Sequence, residues 1–266
     1  MKGRVLIIAG SDSGGGAGIQ ADIKTVTALG GYAATAVTAL TAQNTLGVEA
    51  VLPVNPDFVR RQIAAVLSDI GADCIKTGML VDAAVVEAVA DALESLAPKI
   101  RLVVDPVIAA SSGAPLLDEP GVERLKRRLV ARAAVVTPNL PEAAMLTGLA
   151  VENLDGMKRA AAALLRMGAK AVVVKGGHLA GDRLVDFVTD GRTSFTLAAK
   201  RIKTRSTHGT GCAYASAIAA GLAQGLKLKP AVTRAHRFVQ DAIRAAPGLG
   251  RGNGPIGIGA AARRKK

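Results

Sequence analysis

Arg4-Val5-Leu6-Ile7-Ile8-Ala9-Gly10-Ser11-Asp12-Ser13-Gly14-Gly15-Gly16-Ala17-Gly18 is the stretch whose reading decides the fold. Its apolar run, Val5 to Ala9, is five residues long, far short of the ~20 needed to span a bilayer. It breaks into Gly10-Ser11-Asp12 instead of continuing as the core of a signal peptide, and so reads as a buried first strand. A Gly-rich loop follows, then a segment of helical period over 17–29. The same unit recurs along the chain. Strands are predicted at 5–9, 34–38, 50–54, 73–77, 102–105, 134–137 and 171–175, and helices near 17–29, 57–70, 82–96, 119–131, 141–147, 155–167, 211–225 and 230–245. Wholly apolar strands alternating with helices imply an α/β fold with a mostly parallel sheet covered on both faces. One hairpin interrupts the pattern, with strands at 184–189 and 193–197 around Asp190-Gly191.

Composition bounds the rest. Of 266 residues, 50% are hydrophobic and 21% charged, which excludes wholesale disorder. Residues 1–199 hold 20 basic and 20 acidic side chains, whereas residues 200–266 hold 14 basic groups and one acid, Asp241. The whole net charge of +13 therefore lies in the last quarter. That asymmetry suggests a polyanion or nucleic-acid partner, but aromatics at 2% and no Trp leave few rings for bases to stack on. Two cysteines, Cys74 and Cys212, make neither a disulfide framework nor a zinc cluster, and a reducing cytoplasm is the expected compartment. Gly and basic residues dominate from 249 on, so a single domain at 1–248 with a flexible basic tail at 249–266 is expected.

Several predicted strands end in small or polar residues: Gly10-Ser11-Asp12, Lys76-Thr77-Gly78-Met79, Asp105-Pro106, Thr137-Pro138-Asn139 and Lys175-Gly176-Gly177-His178. In open α/β sheets the ligand site lies beyond the carboxyl ends of the strands, so five such ends point to an enzyme. Gly16-x-Gly18-x-x-Ala21 matches a dinucleotide fingerprint formally, yet residues 23–48 contain no Asp or Glu to hold a ribose. A Walker A pattern is absent. Asp12 and the Gly-rich backbone are instead placed to approach a small polar substrate.

Thr207-His208-Gly209-Thr210-Gly211-Cys212-Ala213 opens an apolar helix. Glycines there leave backbone N–H groups converging at the positive end of the helix dipole, a cradle for a transferring phosphoryl group. The same dipole favours thiolate at Cys212. His208 is either a ligand or a capping or packing residue. Glu142, in the first turn after Asn139-Leu140-Pro141, either caps the helix or holds a metal ion. Lys175 is either a solvated strand end or a partner for nucleotide phosphate.

Together these segments resemble one family. Gly10-Ser11-Asp12-Ser13-Gly14-Gly15-Gly16-Ala17-Gly18-Ile19-Gln20-Ala21-Asp22-Ile23-Lys24-Thr25, Ala42-Gln43-Asn44-Thr45, Lys76-Thr77-Gly78-Met79-Leu80, Asp105-Pro106-Val107, Thr137-Pro138-Asn139-Leu140-Pro141-Glu142-Ala143, Lys175-Gly176-Gly177-His178 and Thr207-His208-Gly209-Thr210-Gly211-Cys212 resemble, in order, the motifs of the hydroxymethylpyrimidine/phosphomethylpyrimidine kinases of thiamine biosynthesis. The resemblance implies a ribokinase-like fold with a small flanking β element. It also implies phosphorylation of 4-amino-5-hydroxymethyl-2-methylpyrimidine and its monophosphate with ATP and Mg2+. It places Cys212, with Gly209, Thr210 and Gly211, at the transferring group, and Cys212 where sugar kinases of the fold carry a proton-accepting Asp. Gln43, Met79, Gly10, Asp22 and Val107 fall on the substrate side, Asn139, Lys175 and His208 on the nucleotide side, and Glu142 and Asp105 at magnesium. A homodimer without membrane attachment is implied as well. Pyridoxal kinases share the fold and some share the Gly-Thr-Gly-Cys, so pyridoxal is the rival substrate. A carbohydrate kinase fits less well because of Cys212. The family's closing Gly-Pro-x-x-His is here Gly254-Pro255-Ile256-Gly257-Ile258, which lacks the His.

Overall fold

The computed structural model describes residues 2–110, 113–177 and 181–263. Its elements run β1 (Arg4–Asp12), α1 (Gly18–Ala28), β2 (Tyr32–Gln43), β3 (Val48–Pro53), α2 (Pro56–Asp69), β4 (Cys74–Thr77), α3 (Ala83–Leu96), β5 (Arg101–Val104), α4 (Glu119–Arg124), β6 (Val135–Val136), α5 (Leu140–Thr147), α6 (Leu154–Arg166), β7 (Val172–Val174), β8 (Arg183–Thr189), β9 (Ser194–Lys200), α7 (Thr210–Ala223), α8 (Leu228–Arg244) and α9 (Ile258–Arg263). After α4 the helical path continues as a π-type turn over Leu125–Leu129 and a 3-10 turn over Val130–Arg132. All strands form one sheet in the order β3-β2-β1-β4-β5-β6-β7-β8-β9. The five pairings from β2 across to β7 are parallel, and those of β3, β8 and β9 antiparallel.

The parallel strands are apolar on both faces because helices cover both. Along β1, Leu6 and Ile8 enter one apolar layer with residues of α2, α3, α5 and α6, while Val5, Ile7 and Ala9 enter the other with α1, α7 and α8. Leu6, Ile7 and Ile8 are wholly buried, each stabilising the fold by about 1.5–3 kcal/mol. Side chains start the helices where backbone N–H groups have no intrahelical partner: Asp82 accepts from Val85 N–H (2.8 Å) and Asn153 from Gly156 N–H (2.9 Å). The short Asn44–Gly47 connection leaves no room for a crossover, so β3 returns antiparallel at the sheet edge. Among the described residues no helix is long and apolar enough to cross a membrane.

From β1 the chain first winds outward to β2 and β3, then returns to add β4 on the other side. The order therefore reverses between β1 and β4, and a ligand crevice is expected at their carboxyl ends.

One expectation is corrected. The described part of the supposed 249–266 tail is seated on the domain: Ile256, Ile258 and Ala261 are buried in the α1/α7/α8 layer, and Gly257 N–H donates to Ala242 O (2.8 Å). Glycine content suggested flexibility, but three apolar side chains three or fewer residues apart anchor the segment. The basic end at 264–266 and His178 lie outside the described residues.

Candidate active site

The polar strand ends do converge. Gly10, near the end of β1, lies against Met79 beyond β4: a Cβ on Gly10 would stand 3.0 Å from Met79 Sδ. Asn139 pairs with Lys175 as an isolated parallel bridge, and Lys175 Nζ reaches Asp105 Oδ1 at 3.0 Å. The N-terminus of α7 points into the same space. A Cβ on Gly211 would stand 3.3 Å from Lys175 Nζ and 3.9 Å from Asp105 Oδ2. Gly209 holds φ +83°, and a Cβ there would overlap the carbonyl oxygen of Gly16. Only glycine therefore lets the start of α7 seat directly on the Gly-rich loop.

Three polar clusters surround that seat. The first sits under the Gly-rich loop. Asp12, expected to meet substrate, instead shapes the loop: its carboxylate accepts from the N–H groups of Gly14 (2.8 Å), Gly16 (3.0 Å) and Ala17 (2.7 Å). His208 Nε2 lies 2.8 Å from Asp12 Oδ2 and 3.3 Å from Gln43 Nε2. Burial works to raise the Asp12 pKa, but His208 and the loop N–H groups outweigh it and hold the carboxyl below its ordinary value. His208, expected at the nucleotide, stands beside Asp12 and Gln43. Ser13 donates its hydroxyl to Gln43 O (2.9 Å) and accepts from Gln43 N–H (2.8 Å), which ties β2's end to the loop.

The second cluster lies behind the start of α7. Asp22 and Lys76 form an ion pair of 2.8 Å with both side chains wholly buried, and Ser216 Oγ donates to Asp22 at 2.7 Å. Asp22 therefore cannot touch substrate, contrary to expectation; it faces the sheet with Ala21, Thr25 and Val26 on the buried side of α1. Burial opposes the Lys76 charge, yet Asp22 and the neighbouring acids hold the ammonium above its ordinary pKa. Cys212 adjoins this pair. Burial, the largest influence, pushes its thiol up to about 12; Lys76 pulls it down, while Asp22 and Asp105 push it further up. The expected depressed thiol is thus not found, because burial and two acids outweigh Lys76 and the Gly18 backbone N–H.

The third cluster is Asp105, Lys175 and Glu142. Against burial, Lys175 and then Lys76 hold Asp105 below the ordinary carboxylate range, with Thr137 Oγ1 3.1 Å away. Glu142 and Asn139 make a capping box: Asn139 N–H donates to Glu142 Oε2 (2.7 Å) and Glu142 N–H to Asn139 Oδ1 (2.8 Å). Burial pushes Glu142 up to about 7 despite Lys175 Nζ at 3.9 Å. Val107 follows β5 at the same end of the sheet, half-buried, its N–H turned back on Asp105 O (2.8 Å). Among the described residues no three His, Cys, Asp or Glu side chains gather as a metal centre of their own.

Lys76 entered the sequence reading only as part of a polar strand end, without its partner Asp22, and Ser216 was not singled out. Lys76 carried a signal: a lysine inside a parallel strand needs a buried acid, and Asp22 is the first-helix acid on the matching face. Ser216 carried none.

Comparisons with known proteins find relatives along almost the whole chain. The profile of a family described as phosphomethylpyrimidine kinase matches residues 12–257. The chain is 51% identical over 255 residues to a thiamine biosynthesis bifunctional protein of Geobacter sulfurreducens, covering 96% of this chain and 52% of that longer protein. It is 49% identical over 259 residues to a hydroxymethylpyrimidine/phosphomethylpyrimidine kinase of Rhizobium meliloti, covering 96% of this chain and 97% of the relative. Among solved structures, the ADP complex of a Bacillus subtilis pyridoxal kinase superposes with a TM-score of 0.90 at 35% identity over the full length of both chains.

Proposed function

The chain belongs to the phosphomethylpyrimidine kinase family and is an ATP-dependent kinase of thiamine biosynthesis, and on that premise we propose that this site phosphorylates hydroxymethylpyrimidine on its hydroxymethyl oxygen and then the monophosphate to the diphosphate. The observation carrying the proposal is the seating of Gly209 on Gly16, which aims the α7 N–H groups into the crevice between Gln43 and Lys175. Phosphoryl transfer asks a protein for position and charge more than for covalent chemistry. The N–H groups of Gly209 to Cys212 receive charge developing on the transferring group, and Lys175 adds a cation beside them. Gln43 offers a carboxamide matched to the adjacent ring nitrogen and amine of an aminopyrimidine. Met79 over Gly10 supplies an apolar wall. Cys212 is placed to take the proton of the attacking hydroxyl.

Asp105 and Glu142 are the acids that would hold Mg2+ with the triphosphate; two buried carboxylates sharing Lys175 suit a cation bound partly by substrate phosphates. Bound there, the ion would draw charge from the phosphoryl oxygens. A cytoplasmic place belongs to the same proposal. So does a homodimer, supported by the free outer edge of β3 and by Leu40 and Leu52, opposed in the β2–β3 register and 49% and 65% exposed. A solution mass near twice 27.0 kDa by light scattering is the expected result.

Gln43→Ala tests the substrate assignment. The KM for hydroxymethylpyrimidine should rise by roughly tenfold or more, the cost of about one buried directional contact, with the KM for ATP within twofold. Unchanged pyrimidine KM would remove Gln43 from recognition. Pyridoxal is a second substrate reading, favoured by the full-length superposition on the pyridoxal kinase.

A further inference from the structure

The segment Gly250-Arg251-Gly252-Asn253-Gly254-Pro255 touches the Thr45 connection, the His208 turn and the Gly-rich loop. Asn253 N–H donates to Thr45 O (2.8 Å) and Gly252 N–H to Thr45 Oγ1 (3.3 Å), two residues beyond Gln43. On the other side, Gly254 O accepts from His208 N–H (3.0 Å), and Pro255 pairs with His208 as an isolated bridge. A Cβ on Gly16 would stand 3.1 Å from Pro255 Cβ, so the Gly-rich loop is in reach as well. Arg205 Nη1 donates to Arg251 O (3.4 Å). Downstream, Ile256, Ile258 and Ala261 fasten the segment to the core.

The chain can run this close only as bare main chain. A Cβ on Gly252 would overlap the carbonyl of Thr45, and one on Gly250 would overlap the Thr45 side chain. Among the described residues, the connection it holds otherwise has only internal bonds: Asn44 N–H to Gly47 O (3.1 Å) and Leu46 N–H to Asn44 Oδ1 (2.8 Å). Its position over the site thus depends on the Ser13–Gln43 pair on one flank and on this segment on the other.

We propose that Gly250–Pro255 is a strap that positions Gln43 against His208 and thereby sets affinity and selectivity for the pyrimidine ring. The strap rests on the reading of Gln43 given above. It contacts Thr45, His208 and Gly16, the residues around Gln43, so its effect falls on the pyrimidine and not on ATP. Displacements of about 1 Å in a positioning contact are enough to change turnover measurably.

The test compares Gly252→Ala with Gly259→Ala, a nearby glycine with nothing within 4 Å of its missing Cβ. For Gly252→Ala, the KM for hydroxymethylpyrimidine should rise about tenfold and the KM for ATP stay within twofold, while Gly259→Ala behaves as the parent. Thr45→Val, which keeps the shape and removes the hydroxyl acceptor, should raise the pyrimidine KM two- to threefold, and it decides the matter should Gly252→Ala not fold. In the ligand-free protein, amide hydrogen exchange at 43–47 should quicken in Gly252→Ala or Thr45→Val, with 140–147 unchanged. Pyrimidine KM values within 1.5-fold of the parent in every folded variant, or equal rises in both KM values, would overturn the proposal. Should the parent turn over no pyrimidine, the substrate reading fails, and the exchange rates alone still uphold or overturn the strap.

Discussion

Replacing Lys76 by Met is expected to destabilise the protein by about 3–5 kcal/mol, because it leaves the Asp22 carboxylate buried without its counter-charge. At roughly 2–4 °C per kcal/mol for a chain of this size, the melting temperature should fall by about 6–20 °C. Both side chains are wholly buried, so solvent cannot replace the lost partner, and the Ser216 hydroxyl supplies only one hydrogen bond. The double variant Lys76→Met, Asp22→Leu should regain most of the loss, since a buried ion pair exchanged for apolar groups of similar size is often neutral or better. A single variant melting within 2 °C of the parent would show that the pair carries no such weight. Lys76 lowers the pKa of Cys212 and Asp22 raises it, so turnover should drop more in Lys76→Met than in a double variant that folds.

Cys212→Ala should cut kcat by ~10²-fold or more, the scale of a removed proton acceptor, while leaving the backbone N–H groups of the phosphoryl cradle in place. The sign of the pH dependence follows from the thiol. It is held up to about 12, so the thiolate is the minor form at neutral pH and its fraction rises about tenfold per pH unit below that value. If the thiolate takes the proton, log kcat of the parent should climb with a slope near one between roughly pH 7 and 9.5, and the alanine variant should be flat there. A flat parent profile with near-normal turnover in Cys212→Ala would leave only the backbone cradle at this helix start.

The sheet was legible because strands buried on both faces must be continuous apolar runs; Val5–Ala9 and Val172–Val174 can do little else. The start of α7 was legible too, since Gly209-Thr210-Gly211 before an apolar helix has few other uses. Two kinds of feature escaped. Asp22 stands in a motif beside substrate-facing residues, yet the helical period of α1 turns it toward the sheet with Ala21 and Thr25. Motif membership does not state which way a side chain points. The second kind is contact between distant segments. His208 meets Asp12 and Gln43 across 196 and 165 residues, and Asn253 meets Thr45 across 208; no local period encodes such pairs. Gly250 and Gly252 looked flexible in isolation and are instead required by the close approach of Thr45. The charge of the last quarter also changes meaning, because Arg201 binds Gly177 O and Gly181 O, and Arg205 binds Arg251 O. These two arginines hold loops in place.

ADP release measured side by side with hydroxymethylpyrimidine, its monophosphate and pyridoxal, at fixed ATP and Mg2+, tests the account most directly. The predicted result is turnover of both pyrimidines at a kcat/KM above that for pyridoxal. ADP release with pyridoxal alone, or with none of the three, would contradict it.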